Sequence, residues 1–113
     1  MIGKYTLAYY SSVSESAAEE SVFKALADPT RRKILDELTE RDGQTLFEIC
    51  ARLAMKYQVQ SSRQAISQHL DVLSAAGLVT TRRDGRYKFH YLDTTPLRRL
   101  TERWRRRDDT QES

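Results

Sequence analysis

The sequence predicts a mainly α-helical protein with a small β-hairpin, arranged as a winged helix-turn-helix of about five helices and a two-stranded wing. Four segments before residue 77, and one after residue 95, repeat apolar residues at the three- and four-residue spacing of amphipathic helices. Between them, residues 86–91 alternate basic and aromatic side chains with the two-residue period of a strand. An Asp-Gly pair, a strong hairpin signal, precedes this run.

The chain of 113 residues predicts one domain with a modest core. We divide it into an N-terminal arm (1–14), a winged helix-turn-helix domain (15–107) and an acidic tail (108–113). The arm has no helical period but carries Tyr5, Tyr9 and Tyr10, so we expect it to be disordered in isolation and available to dock on a partner subunit.

Capping signals locate the first two helices. Ser16 with Glu19 is a predicted capping box that opens a helix through about residue 27. Asp28 and Pro29 supply the N-cap and the first-turn proline of a second helix, which extends to about residue 41. The apolar residues are Val22, Phe23 and Leu26 on the first helix, and Ile34, Leu35 and Leu38, facing inward, on the second.

The third and the terminal helices are predicted in the same way. Thr45 and Glu48 form a capping box, and Thr95 with Pro96 pairs an N-cap with a first-turn proline. Residues 54–60 contain no strong helix breaker, so the end of the third helix stays open. The apolar stripes are Leu46, Ile49, Cys50 and Leu53 on the third helix, and Leu97, Leu100 and Trp104 on the terminal one.

The fourth helix, residues 62–76, has one apolar and one polar face. Ser61 and Gln64 form its predicted capping box, and Gly77 is the left-handed residue that ends it. Arginine and glutamine can make paired hydrogen bonds to guanine or adenine edges, so we name this segment the reading helix. Ile66, Leu70 and Leu73 form its core face, and Arg63, Gln64, Ser67, Gln68 and Asp71 form the opposite one.

The wing, residues 82–88, is predicted to turn at Asp84-Gly85 through a type I′ turn. We expect the aromatic side of its second strand to pack on the helices. His90 is placed on the opposite, polar side, where either solvation or a phosphate contact is open. Cations at the tip would hold phosphates, although an ordinary basic surface hairpin is the alternative. The predicted DNA-binding residues are Ser62, Arg63, Gln64, Ser67, Gln68, Arg82, Arg83, Arg86 and Lys88.

Charge is segregated along the chain. Residues 1–62 carry 8 basic and 9 acidic side chains, whereas residues 63–107 carry 11 basic and 4 acidic ones, a balance of +7. A polyanion would therefore meet a more positive surface than the total charge of +3 suggests. The arginines that follow the terminal helix are read as a solvated helix end rather than as a phosphate contact.

Other classes of function have little support in the sequence. No apolar run approaches the roughly 20 residues that cross a bilayer, and no secretory signal is evident, so we expect a cytoplasmic protein without a membrane partner. One cysteine, Cys50, and two histidines, His69 and His90, lie in separate segments. We therefore predict no cofactor and no metal site within one subunit, although a site shared across a dimer stays open. No catalytic constellation can be assembled, so we predict that the chain is not an enzyme.

From Phe23 onward the sequence resembles the ArsR family of bacterial and archaeal winged-helix repressors. The segments FKALADPTRRKILDEL, ISQHLDVLSAAGLV and RRDGRYKFHYLD carry this resemblance over about two thirds of the chain. It implies a dimer, joined through N- and C-terminal helices, that presents two reading helices to operator DNA and blocks polymerase. The terminal helix carries a large tryptophan that a small core would leave uncovered, and the same helix or the N-terminal helix of a second copy would cover it, so we expect a homodimer. The predicted interface residues are Phe23, Leu97, Leu100 and Trp104.

The chain departs from the family pattern at its sensor positions. Where many members carry a Cys-x-Cys metal-sensing pair, this sequence has Thr45, Leu46 and Phe47. Its terminal helix offers Glu102, Asp108 and Asp109 but no histidine, and the connection at 54–60 looks about six residues longer than usual. From the resemblance we predict a dimeric repressor that blocks a promoter. Because the sensor residues differ, its effector stays open, and the sequence does not identify its operator or the genes that it regulates. The alternative is a winged-helix module that docks proteins without binding DNA.

Overall fold

The computed structural model describes residues 16–106 as five helices and one antiparallel hairpin, in the predicted order. The helices are α1 (16–26), α2 (Pro29–Glu40), α3 (Leu46–Tyr57), α4 (Arg63–Ala75) and α5 (Thr95–Arg103). The hairpin consists of β1 (Val79–Asp84) and β2 (Tyr87–Leu92). The predicted arm and acidic tail lie outside the described residues. Within residues 16–106, no helix has both the length and the apolar character that crossing a bilayer requires.

The apolar faces of α2, α3 and α4 meet in a single core, as their periodicity predicts. Each of their central residues is less than 10% exposed, and α1, β1 and α5 each add residues to the cluster. Burying one such side chain stabilises the fold by about 1.5–3 kcal/mol. The buried residues of these three helices are Ile34, Leu35, Leu38, Ile49, Leu53, Ile66, Leu70 and Leu73.

Two of the predicted N-caps are confirmed. The Asp28 carboxylate accepts a hydrogen bond from the backbone N–H of Arg31 at 3.1 Å. The capping box of α3 is complete, because the Glu48 N–H donates to Thr45 Oγ1 at 3.2 Å and the Thr45 N–H donates to Glu48 Oε1 at 2.9 Å. This bond to the Thr45 backbone holds the pKa of Glu48 below its usual value. The start of α3 is therefore firmly fixed.

Three predicted helix starts are wrong by a residue or more. Ser16 already lies within α1, so it is not its N-cap. The N-cap of α4 is Ser62 rather than Ser61, and its hydroxyl accepts from the Ala65 N–H at 3.1 Å. Helix α5 begins at Thr95, with Thr94 as its N-cap. Ser61 and Ser62 are adjacent capping residues, so the local pattern does not select between them. Thr94 forms no side-chain cap hydrogen bond, and the Thr95 N–H donates instead to the Asp93 carboxylate at 2.9 Å.

Helix α3 extends through Tyr57, which settles the open end of the predicted third helix. Gln58 then adopts a left-handed conformation, with φ of 56°, and the Val59 N–H donates to the Leu53 carbonyl at 3.1 Å. Residues 54–57 therefore belong to the helix, and the connection to α4 is only residues 58–62. A non-glycine residue in this conformation carries no clear sequence signal, so the stop at Gln58 was not predictable.

Arg31 connects three helices. Its Nε donates to the Ala25 carbonyl and its Nη2 to the Lys24 carbonyl, both at 2.9 Å, so it satisfies acceptors at the end of α1. Its Nη1 lies 3.1 Å from Nδ1 of His69 on α4. Because a guanidinium can only donate, Nδ1 of His69 accepts this bond. His69 is therefore held against the start of α2 by this hydrogen bond.

The base of the hairpin is fixed to the loop between α2 and α3. Gln44 and His90 form an isolated β-bridge, with backbone N–O distances of 3.1 and 2.8 Å. The Asp42 carboxylate accepts from the Leu92 N–H at 2.7 Å. Between these contacts, Gly43 adopts a φ of +69°, and an added Cβ would lie 2.8 Å from Cε1 of the Tyr91 ring. Only glycine meets both requirements at this position.

We expect Gly43→Ala to lower the free energy of unfolding by about 1–3 kcal/mol, because the new methyl group adds a clash to backbone strain. Urea denaturation measures this change. Gly85→Ala is the matched control, since Gly85 has a φ of +63° but no atom within 4 Å of an added Cβ. Equal losses in the two variants would contradict the proposed role of the Tyr91 contact.

Candidate nucleic-acid interface

The polar face of α4 points away from the core over the first two helical turns. Arg63, Gln64 and Gln68 are exposed, and Ser67 is half-buried. The opposite face is anchored by buried Ile66, so the orientation of the helix is set by core packing. The exposed side chains carry several donors and acceptors, which is what reading base edges in a groove requires.

The hairpin turns one residue later than the sequence predicts. Asp84 pairs with Tyr87, so the two turn residues are Gly85 and Arg86. Only Gly85, with φ of +63°, has a positive φ, which is the pattern of a type II′ turn rather than the predicted type I′. Asp84 is extended and belongs to the strand, and Arg86 occupies the tip of the wing.

The prediction for the two sides of β2 is wrong at His90, which faces the core and is 5% exposed. Its Nδ1 lies 2.9 Å from the Gln44 carbonyl oxygen, which can only accept, so Nδ1 carries the proton. Burial lowers the pKa of His90 in spite of this bond. Tyr87, predicted to pack on the helices, is instead 59% exposed. The β-bridge turns His90 inward, a long-range contact that an alternating pattern cannot reveal.

The cations of the wing occupy both faces of the hairpin. Arg83 and Lys88 are direct cross-strand partners, and both are exposed. Like charges placed opposite each other repel, so an anion bound between them would relieve a cost that the free protein carries. Arg82 belongs to the other face, with its Cζ 5.4 Å from the centre of the Tyr91 ring.

A cleft of about 280 Å³ separates the reading helix from the wing. Ser67 and Asp71 of α4 line one wall, Arg86 and Lys88 line the other, and Phe47 of α3 also lines the cleft. Thus two of the predicted wing residues and one of the predicted α4 residues are brought together. The sequence prediction missed Phe47, and it placed Asp71 on the polar face of the reading helix without counting it among the DNA-binding residues. Asp71 had a usable signal, since it lies four residues after Ser67 on the same helical face.

The residues with potential metal or redox chemistry lie elsewhere. Cys50 is part of the partly buried shell around the core, and burial raises the pKa of its thiol. A raised pKa reduces the reactive thiolate fraction. Within the part of the chain that the structure describes, no three histidine, cysteine, aspartate or glutamate side chains are grouped so as to hold a metal ion.

The four predicted interface residues divide into two pairs. Leu100 is buried and Leu97 partly buried against this chain's own core. Phe23 on α1 is 42% exposed and Trp104, at the end of α5, is 63% exposed. An ion pair between Glu19 and Arg103 connects α1 with α5. The two exposed aromatic residues, Phe23 and Trp104, therefore belong to two helices that an ion pair connects.

Comparison with known proteins identifies the family. A family model described as a helix-turn-helix domain matches residues 26–82. The chain is 49% identical over 86 residues to the HTH-type transcriptional regulator YuzN of Bacillus subtilis, covering 76% of this chain and 94% of that protein. It is 39% identical over 77 residues to the transcriptional repressor SdpR of the same organism, covering 68% and 78%. A solved ArsR-like transcriptional regulator from Rhodococcus sp. RHA1 matches with a TM-score of 0.62 at 38% identity, covering 80% of this chain and 81% of that chain. With the fold and the exposed polar helix described above, these matches establish that the chain belongs to the ArsR family of winged helix-turn-helix, DNA-binding transcriptional regulators.

Proposed function

We propose that the protein is a dimeric cytoplasmic repressor that blocks a promoter by inserting α4 into the major groove while the wing holds the phosphate backbone. The observation that carries this proposal is the exposed polar face of α4 beside the facing cations Arg83 and Lys88. Groups that can distinguish base edges and groups that can only neutralise charge thus lie on adjacent elements. A relative described as a transcriptional repressor supports the choice of repression over activation.

The dimer is proposed to form through α1 and α5. Phe23 on α1 and Trp104 at the end of α5 are large exposed aromatic side chains, and tryptophan is among the residues that most often dominate the energy of an interface. A two-fold axis there would present two reading helices about 34 Å apart. The operator would then be an inverted repeat with half-sites roughly one helical turn apart.

The salt dependence of binding to duplex DNA tests this function. The operator is first selected from random duplexes, and its affinity is then measured between 50 and 200 mM salt. For B-DNA, log K should fall against log salt with a slope of about −0.9 for every phosphate that is neutralised. Absence of binding at low salt would favour the protein-docking alternative. A monomer by sedimentation, with and without DNA, would contradict the dimer.

Substitutions on the two elements should have different effects. We expect Gln64→Ala on α4 to cost about 1–3 kcal/mol for the selected operator and to relax base choice at a defined position. Arg83→Ala on the wing should weaken selected and unrelated duplexes alike and should make the salt slope shallower. Competition binding with single-base-pair variants of the operator separates the two outcomes. If both variants change base choice equally, the proposed division of roles is incorrect.

A further inference from the structure

Phe47 has no role in the hydrophobic core. It is the second residue of α3, it is 67% exposed, and it lines the cleft between the reading helix and the wing. Its neighbour Leu46 packs against the core cluster. An apolar side chain stabilises a fold mainly through burial, so Phe47 can be replaced at little cost to stability. The contact that could give Phe47 a role is therefore one that it makes with another side chain on the surface.

That contact is with Arg63, the first residue of α4. The Cζ atom of Arg63 lies 5.9 Å from the centre of the Phe47 ring, within the range of a cation–π interaction. The guanidinium also acts on Cys50, which lies one helical turn after Phe47 on α3. The positive charge of Arg63 lowers the pKa of the Cys50 thiol, although burial raises this pKa by more. Between residues 16 and 106, no carboxylate forms an ion pair with Arg63 within 4.0 Å. The ring is thus the contact that directs this side chain over α3.

We infer that Phe47 is a positioning residue for Arg63 and thereby a determinant of base choice, an inference that rests on the proposed function. A long arginine side chain samples many rotamers in water and loses this freedom when it forms a paired contact with guanine. A ring that already restricts the guanidinium reduces that loss. Phe47 therefore increases the selectivity that Arg63 provides, and it contributes no phosphate contact of its own.

The test compares the selected operator with duplexes changed at the base pair that Arg63→Ala no longer distinguishes. We expect Phe47→Ala to reduce selectivity at this pair by about two- to fivefold, the strength of an exposed cation–π contact. The salt slope should be unchanged, because no phosphate contact is removed. Phe47→Tyr, which keeps an aromatic face, should match the wild type, whereas Phe47→Leu should match Phe47→Ala. The double variant Phe47→Ala/Arg63→Ala should be no less selective than Arg63→Ala alone.

Met55→Ala is the matched control, since Met55 is on the same helix and 81% exposed. It should leave selectivity unchanged. Each of three results would overturn the inference. Phe47→Leu could keep the full selectivity of the wild type, or Arg63→Ala could leave selectivity unchanged. In the third, the double variant would lose selectivity by the product of the two single losses. A wild-type protein without any sequence selectivity would instead contradict the proposed function, and this outcome is read from the wild type alone.

Discussion

Replacing Arg83, Arg86 and Lys88 with alanine is expected to make the salt slope of operator binding shallower by about 5, because a dimer would lose six phosphate contacts worth about 0.9 each. All three residues are exposed, and Arg86 and Lys88 line the cleft that faces α4. With six phosphate contacts, the affinity for DNA falls by about a thousandfold or more when the salt concentration rises from 50 to 200 mM. Titration of labelled operator at several salt concentrations measures both quantities.

A second triple variant separates the position of these charges from their number. Lys24→Ala/Arg98→Ala/Arg99→Ala also removes three exposed cations, from α1 and α5. Helix α5 begins beyond the base of a six-residue strand, so its start lies about 20 Å from the tip of the wing. This control should keep most of the wild-type slope. If both triple variants lose the same slope, net charge rather than the wing determines DNA affinity.

Glu37→Ala is expected to destabilise the fold by about 2–4 kcal/mol, more than any other single substitution considered for this chain. The Glu37 carboxylate is fully buried, and it accepts hydrogen bonds from Arg52 Nε at 2.7 Å, from Lys56 Nζ at 3.2 Å and from Gln44 Nε2 at 3.3 Å. Removing it takes away the carboxylate that Arg52 Nε binds and one of the two acceptors of Lys56 and of Gln44, and it opens a cavity between α2 and α3. Because Arg52 and Lys56 stay partly in water, the loss should fall below that of a fully buried ion pair.

Urea denaturation measures the effect, and Glu40→Ala is its control. Glu40 also pairs with Lys56, but its side chain is 55% exposed. An exposed ion pair contributes about 1 kcal/mol or less, so Glu40→Ala should change the free energy of unfolding only slightly. Similar losses in the two variants would mean that the burial of Glu37 does not matter.

The same carboxylate predicts how stability depends on pH. Burial alone would raise the pKa of Glu37, but the hydrogen bonds from Arg52, Lys56 and Gln44 outweigh burial and hold this pKa below its usual value. The contribution of Glu37 is therefore present above the pKa of the unfolded state and is lost as the pH falls through the lowered folded-state value. Buried His90 adds acid sensitivity in the same direction, since its pKa is also lowered. Comparing wild type with Glu37→Gln isolates the part that belongs to Glu37, and this difference should shrink in acid.

Much of the fold was predictable because helix periodicity and caps are local. Ile34, Leu38, Ile49 and Leu53 are buried where the spacing predicts, and the Thr45 cap follows from residues within one turn. The choice between neighbouring capping residues was not predictable, nor was the end of α3. The buried role of Glu37 had a signal, since it lies three residues after Ile34 on the same helical face, but its partners come from α3 and the following loop.

The candidate site was predictable in its composition but less so in its geometry. The exposed polar face of α4 follows from helical period alone, because its opposite face is apolar. The orientation of the hairpin depends on the bridge between Gln44 and His90, residues 46 positions apart, and on a turn shifted by one residue. The contact between Phe47 and Arg63 depends on how α3 packs against α4. Only tertiary structure brings such pairs together.

Arg31 has a consequence for operator length. Its guanidinium binds the last carbonyls of α1 and the imidazole of His69 on α4, so tilting α1 would pull α4 in the same direction or break directed hydrogen bonds. In a dimer built on α1 and α5, the number of base pairs between half-sites would then be set by side chains that never touch DNA. Relatives that alter this arginine or this histidine should accept operators with a different central spacer.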